Sequence, residues 1–319
     1  MKMKHISLAI GLGLAVSMSA QAGLLSFQDD ALDYFLRKDP STGQYNAVTS
    51  GAIQKGDIAL AVFEFPTVTV DGVNIIGSNE EFTGVAAVQL TDIVNPDGTH
   101  PSDGSGATIG SIYTFGLWND FNSFLVSQGG GDLGPYATNA AIAVWRNPTT
   151  DFDLDLDRAH NGGNPNCTSL SDCISQAATG TLFQVDGFLG DGDELWTATQ
   201  LVSGGGDLAT VKTLNNTITV ASVNFFLSNI YQDQYGDVTG INVGTGMNDC
   251  TFVVNGTPDG CAQVTGNVNL TGGQGIAATN EAVAHGTTIN AQKYVPEPAT
   301  LALFGIGLLG FGARSRRSC

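Results

Sequence analysis

The chain has 319 residues, of which 42% are hydrophobic and 13% charged, with 42 glycines and a formal net charge of −18. So small a charged share and so much glycine exclude a coiled coil, a helical bundle and a charged disordered tail, and suit a β-rich extracellular protein with many turns. With 30 acids against 12 lysines and arginines there is no basic surface to neutralise phosphates, which excludes nucleic acid as a partner.

The N-terminus reads as a secretory signal. Lys2 and Lys4 form a charged n-region, Ile6 to Met18 an apolar core, and Ala20-Gln21-Ala22 an A-x-A cleavage pattern, so the mature chain is expected to start at Gly23. A single β-rich domain is expected over residues 23–294, with no internal boundary. Ser26 to Lys38 has the features of a helix. Ser26 stands at the cap, Asp29 and Asp30 in the first turn, Arg37 and Lys38 in the last, and Pro40 follows as a stop. Phe27, Ala31 and Phe35 recur at intervals of four. Two shorter helices are predicted over Asn119 to Ser127 and Ser169 to Ala178.

Most of the remainder reads as strands separated by Gly, Asn, Asp and Pro clusters. Ile58 to Phe65 and Thr67 to Val70 are interrupted by Pro66, a sign of an edge or a bulge. Strands are predicted over Gly84 to Val94, Thr108 to Leu117, Ala140 to Arg146, Thr181 to Phe188, Leu195 to Leu201, Thr217 to Leu227, Val238 to Val243, Thr251 to Val254 and Ala262 to Leu270. The expected architecture is mainly β, a β-sandwich or jelly-roll-like sheet pair with a few short helices. Gly129-Gly130-Gly131-Asp132-Leu133 recurs as Gly204-Gly205-Gly206-Asp207-Leu208, without matching flanks.

Two acidic segments are candidate cation sites. Residues 151–157 alternate strictly, which as a strand sets Phe152, Leu154 and Leu156 on one face and Asp151, Asp153, Asp155 and Asp157 on the other, about 7 Å apart along the face. Carboxylates so aligned repel one another and invite Ca2+; a solvated outer face beside a core face is the commoner origin of such a pattern. The segment is not an EF-hand, because Gly162 stands where the bidentate Glu is required. Asp186, Asp191, Asp193 and Glu194, interleaved with Gly190 and Gly192, form a second acidic turn.

Cys167, Cys173, Cys250 and Cys261 face an oxidising compartment, whereas Cys319 lies at the extreme C-terminus. Of the three possible connectivities, Cys167–Cys173 with Cys250–Cys261 is favoured by proximity in sequence, and no C-x-x-C or matching His spacing supports zinc. Catalytic motifs are absent. His100, His160 and His285 sit in no H-E-x-x-H, and there is no Gly-x-Ser-x-Gly elbow, Walker A or dinucleotide fingerprint. Trp118, Trp145 and Trp196 are able to stack on sugars, but each occurs in an apolar or strand-like setting, where a tryptophan is more often core.

At the C-terminus, Val295-Pro296-Glu297-Pro298-Ala299 precedes Leu301 to Ala313, all apolar or Gly, and then Arg314, Arg316 and Arg317. Thirteen apolar residues reach about 20 Å as a helix against about 30 Å of hydrocarbon, a marginal anchor whose arginines stay cytoplasmic. This end, residues 295–319, closely resembles the PEP-CTERM sorting signal, matching its Pro-Glu-Pro motif, short apolar helix and terminal Arg cluster. The final Ser318-Cys319 is a departure. The resemblance implies handling by the membrane protease-transpeptidase exosortase, after passage through the export machinery and a transient stay in the inner membrane of a Gram-negative bacterium that makes exopolysaccharide. It implies nothing about the central domain. Once both ends leave, seven lysines and arginines face the acids, for a charge of −23, or −22 without Glu297.

The expected function is therefore that of a secreted, non-enzymatic surface or matrix protein that interacts with exopolysaccharide in biofilm or floc, with Ca2+ as the one candidate cofactor. The alternatives are a secreted polysaccharide hydrolase and a Ca-dependent carbohydrate-binding protein.

Overall fold

The computed structural model describes residues 23–70, 73–74, 76–77, 80–149, 152, 154, 166–190, 194–214, 218–232, 263–271, 282–285 and 291–295. Among these, thirteen strands form one antiparallel sheet: β1 (Gly23–Lys38), β2 (Tyr45–Ala47), β3 (Ile58–Val70), β4 (Val73–Asn74), β5 (Glu81–Val94), β6 (Ile112–Gly116), β7 (Ala140–Asn147), β8 (Thr181–Gly187), β9 (Leu195–Gln200), β10 (Thr219–Gln232), β11 (Gln263–Thr271), β12 (Ala282–His285) and β13 (Ala291–Val295). Three short helices accompany them: α1 (Phe121–Ser127), α2 (Leu170–Ala177) and α3 (Leu208–Thr213). The architecture is mainly β and sandwich-like, as the strand spacing predicts.

The sheet closes on itself. Successive pairing runs β3-β1-β13-β11-β10-β8-β7-β5, and β5 pairs back with β3. Two long strands act as corners by changing partner along one edge. β5 pairs β7 through Glu81–Ala86 and β6 through Gln89–Val94. β10 pairs β9 through Ala221–Phe226 and β8 through Ser228–Gln232. The wall between these corners therefore consists of two bridges, β7-β8 at one level and β6-β9 at the other.

Apolar side chains cover both faces of the central strands, as expected of strands buried on both sides. Along β5, Phe82, Ala86, Val88 and Leu90 enter the interior cluster, whereas Val85 and Ala87 face outward into a second cluster. Helices α1 and α2 cover that second cluster with Phe121, Phe124, Leu125, Cys173, Ile174 and Ala177. Ser169 caps α2 by accepting from the Asp172 N–H, and the Cys167–Cys173 disulfide ties the entering chain to the first turn. Thr83 Oγ1 donates to the Ala177 carbonyl at 2.6 Å, docking the end of α2 on β5. Cys250 and Cys261 lie outside the described residues.

One element differs from expectation. Residues 26–38, expected as a helix, belong to strand β1. The four-residue spacing of Phe27, Ala31 and Phe35 is a multiple of two and fits a strand face as well as a helix stripe. The deciding residues are Leu32, Tyr34 and Leu36. They alternate onto the opposite face and are buried there, so this segment is apolar on both sides and pairs β3 along most of its length. The pairing shifts register between Gln28 and Asp30, opposite Pro66, where β3 exchanges β5 for β4 as its second neighbour. Pro66 thus marks a bulge, where its missing N–H costs no ladder bond. The strand predicted over Thr108 to Leu117 is limited to β6. The segments Val238 to Val243 and Thr251 to Val254 lie outside the described residues.

Candidate functional site

The acidic candidates divide. Asp151, Asp153, Asp155, Asp157, Asp191 and Asp193 lie outside the described residues. Phe152 and Leu154 are buried in the outer cluster, as a core face requires, and Glu81 accepts from the Phe152 N–H at 3.1 Å. Glu194 closes its own turn by accepting from Leu189 N at 2.6 Å and Gly190 N at 2.8 Å. Asp186, expected in the same turn, is instead fully buried in β8. Among the described residues no group of three or more His, Cys, Asp or Glu side chains is placed to hold a metal ion.

Many of the other aspartates form turns. Asp39, Asp97 and Asp103 each accept from the backbone N–H and the hydroxyl of the Ser or Thr two residues on. These bonds favour the carboxylate and hold all three below the usual aspartate range. A folded-state pKa below the unfolded one contributes stability above about pH 4 that is lost as pH falls through the carboxylate range. Acid titration followed by circular dichroism should therefore show the melting temperature falling below about pH 4, and Asp→Asn at these three positions should blunt that fall.

The two Gly-Gly-Gly-Asp-Leu copies serve different ends. The first sets Gly131 against the Trp145 indole and delivers Leu133 to the outer cluster; the second sets Gly206 against the backbone of Gly104, caps α3 with Asp207 and delivers Leu208 to the interior. Trp118 and Trp145 are core residues of the outer cluster, and Trp118 Nε1 donates to the Tyr45 hydroxyl at 3.0 Å. His100 Nδ1 meets Asp92 at 2.8 Å, and Lys55 holds the other oxygen of that carboxylate at 2.6 Å. The Lys55 hydrogen bond, then the one to His100, keeps Asp92 below its usual range.

The interior holds a cavity of about 150 Å³. Phe63, Phe115, Ile142, Trp196, Val223 and Phe225 line it, with Trp196 stacked on Phe225 at 4.9 Å between ring centroids. Polar side chains also reach it. The buried Tyr113 hydroxyl donates to Gln200 Oε1 at 2.6 Å, and Gln200 Nε2 donates to the Val202 carbonyl at 2.9 Å. Burial, then the nearby Asp103, pushes the Tyr113 phenol up. Asp186 accepts from the Gln184 amide and from Asn229 Nδ2 at 2.9 Å. Gln184 Oε1 is left buried with no partner among the described residues, which costs about 1–3 kcal/mol.

Neither Gln184 nor Asn229 stands out in the sequence. Their placement follows from register shifts. β7 pairs Val144 with Gln184 but Trp145 with Leu182, which makes Phe183 the extra residue of a bulge; further shifts fall between Ala140 and Ile142 and between Asn229 and Tyr231. Bulges re-aim side chains, and these three surround the Gln184–Asp186–Asn229 group. The sequence signal was Gln184 and Asp186 alternating with apolar neighbours, a pattern that normally marks a solvated face.

The last strand, β13, lies between β1 and β11. It pairs antiparallel with the start of β1, so Val295 stands opposite Gly23, and Gln263 to Thr265 of β11 pair its other edge. The class this defines is a closed antiparallel β-domain whose first and last described strands form one ladder. Residues 295–317 match the family model of the PEP-CTERM protein-sorting motif. The chain thus carries this sorting signal, including Val295, Pro296, Glu297, Pro298, Arg314, Arg316 and Arg317. The motif indicates an exported extracellular protein, transiently anchored in the membrane and processed there by exosortase. No curated protein and no solved structure matches the chain. Among the described residues no helix is long and apolar enough to cross a membrane. The signal-cleavage residues Ala20 and Ala22 lie outside the described residues.

Proposed function

We propose that the processed chain is a non-catalytic component of the extracellular matrix, holding exopolysaccharide or other matrix proteins together in biofilm or floc. The observation that carries this reading is the sorting motif, which begins at Val295, the last residue of the strand that completes the closed sheet. The strongly acidic composition supports it, since carboxylates keep a secreted domain soluble. In this reading the aspartates of residues 151–157 and 191–193 take up Ca2+ and bridge it to acidic polymer.

Deletion of the gene should reduce cell aggregation and matrix seen by microscopy. Replacing Pro296, Glu297 and Pro298 with alanine should leave uncleaved chain in the membrane fraction, with a matching loss from the medium or cell surface. Turnover of the organism's own polysaccharide by the purified exported protein would overturn the non-catalytic reading.

A further inference from the structure

We propose that the outer face of β6, β9, β10 and β11 binds an uncharged polysaccharide, whose hydroxyl groups bond to ranks of Thr, Ser and Asn and whose ring C–H faces pack on Phe226. The inference rests on the matrix reading above and names the polymer class for it. Three observations converge on this face. The first is register. Thr114 pairs with Thr197, Thr197 with Asn224 and Asn224 with Asn267, so one rank crosses four strands. At a strand spacing of about 4.8 Å that rank is roughly 14 Å long. Thr199, Ser222 and Asn269 form a second rank beside it. All of these side chains are exposed or partly exposed, because their neighbours Tyr113, Phe115, Ala198, Val223 and Phe225 take the inward face. Asn267 Nδ2 donates to Asn224 Oδ1 at 2.7 Å, which orders two amides across the strands.

The second observation is an aromatic ring. β10 turns Phe225 and Leu227 into the interior, so Phe226 points outward, partly exposed, opposite the exposed Leu195 of β9. An apolar rung thus lies next to the first polar rank. The third is charge. Neither rank holds a charged side chain, in a chain with 30 acids. At the β5 edge Asp92 stands opposite Thr114, and Lys55 and His100 hold its carboxylate.

The same chemistry selects the ligand. A sugar ring carries hydroxyls at its rim and C–H groups on its faces, which matches polar ranks beside an apolar rung. A polyanion is repelled by the surrounding acids. A protein partner calls for the Tyr, Trp, Met and Arg that interfaces favour, and the ranks hold none of these.

The test is affinity electrophoresis of the purified exported protein in native gels. The probes are hydroxyethyl cellulose, galactomannan and dextran, which are uncharged, and alginate, a polyanion, each with and without EDTA. At least one uncharged polymer is expected to retard the protein, equally with EDTA, and alginate is not. Phe226→Ala should weaken that retention about tenfold. Thr197→Val with Asn224→Leu keeps the side-chain shapes but removes their polar atoms, and should weaken it by a similar factor; this variant also serves where Phe226→Ala fails to fold. The proposal is overturned if no uncharged polymer retards the protein or if the folded variants are retarded like the parent. Retention by alginate alone, or retention lost in EDTA, would leave a matrix role to the aspartates and overturn the role of this face. A dimer in sedimentation that the variants split would assign the face to a second copy and overturn it as well.

Discussion

A chain ending at residue 290 is expected to lose most of its cooperative melting, whereas a chain ending at Val295 should melt like the processed protein. The five residues that separate them form β13, the strand that completes the ring. On one edge Gly23 to Phe27 of β1 pair with it, and on the other Gln263 to Thr265 of β11. Its removal breaks both ladders at once, roughly eight residue pairs at about 0.5–1.5 kcal/mol each, a loss on the order of 5 kcal/mol. That approaches the entire stability of an ordinary domain. It also leaves two facing edges that are free to pair with other chains, so the shorter chain should aggregate. Thermal melts with light scattering on the two truncations measure both effects. Equal melting temperatures would mean that β13 does not close the sheet. For the exported protein the consequence is that processing on the C-terminal side of Val295 leaves the fold whole, whereas a cut five residues earlier opens it.

Arg37→Met should lower stability by about 2–4 kcal/mol, read as a shift of the urea midpoint. Asp57 is 1% exposed and receives a two-pronged hydrogen bond from Arg37, Nε to Oδ1 at 2.8 Å and Nη2 to Oδ2 at 2.7 Å. Arg37 Nη2 also donates to the Ala52 carbonyl at 3.0 Å, and Asp57 accepts from the Gln54 N–H at 2.8 Å, so the pair fastens the end of β1 to the loop before β3. Removing the guanidinium leaves a buried carboxylate with one remaining donor. A stranded buried charge costs about 3–5 kcal/mol, reduced here because the Arg37 side chain is 37% exposed and water reaches it. The double variant Arg37→Met with Asp57→Leu should recover much of the loss, because two apolar side chains strand no charge. A double variant as unstable as the single would show that shape rather than charge sets the cost.

Legibility in the sequence tracked how local the governing interaction is. The Cys167–Cys173 pair, α1 and α2 depend on residues within one or two turns, and each is readable in the sequence. So are β3, β5 and β7, whose apolar residues alternate on both faces. β1 differs from the helix expected there because a spacing of four satisfies both periodicities; its partner, β3, decides between them. The glycines near Asp186 suggest a turn, whereas Asn229, 43 residues away, donates to its carboxylate inside the sheet.

The sequence by itself determined the destination and the class: an acidic, glycine-rich β-domain bearing a sorting signal at residues 295–317. Those properties reside in composition and in short contiguous motifs, which need no fold to be recognised. Tertiary structure alone decided that the sheet closes through β13, that Gln184, Asp186 and Asn229 are buried together inside it and that Arg37 holds a buried Asp57. Each depends on strands distant in sequence meeting in one register, and a bulge in that register changes which face a side chain occupies.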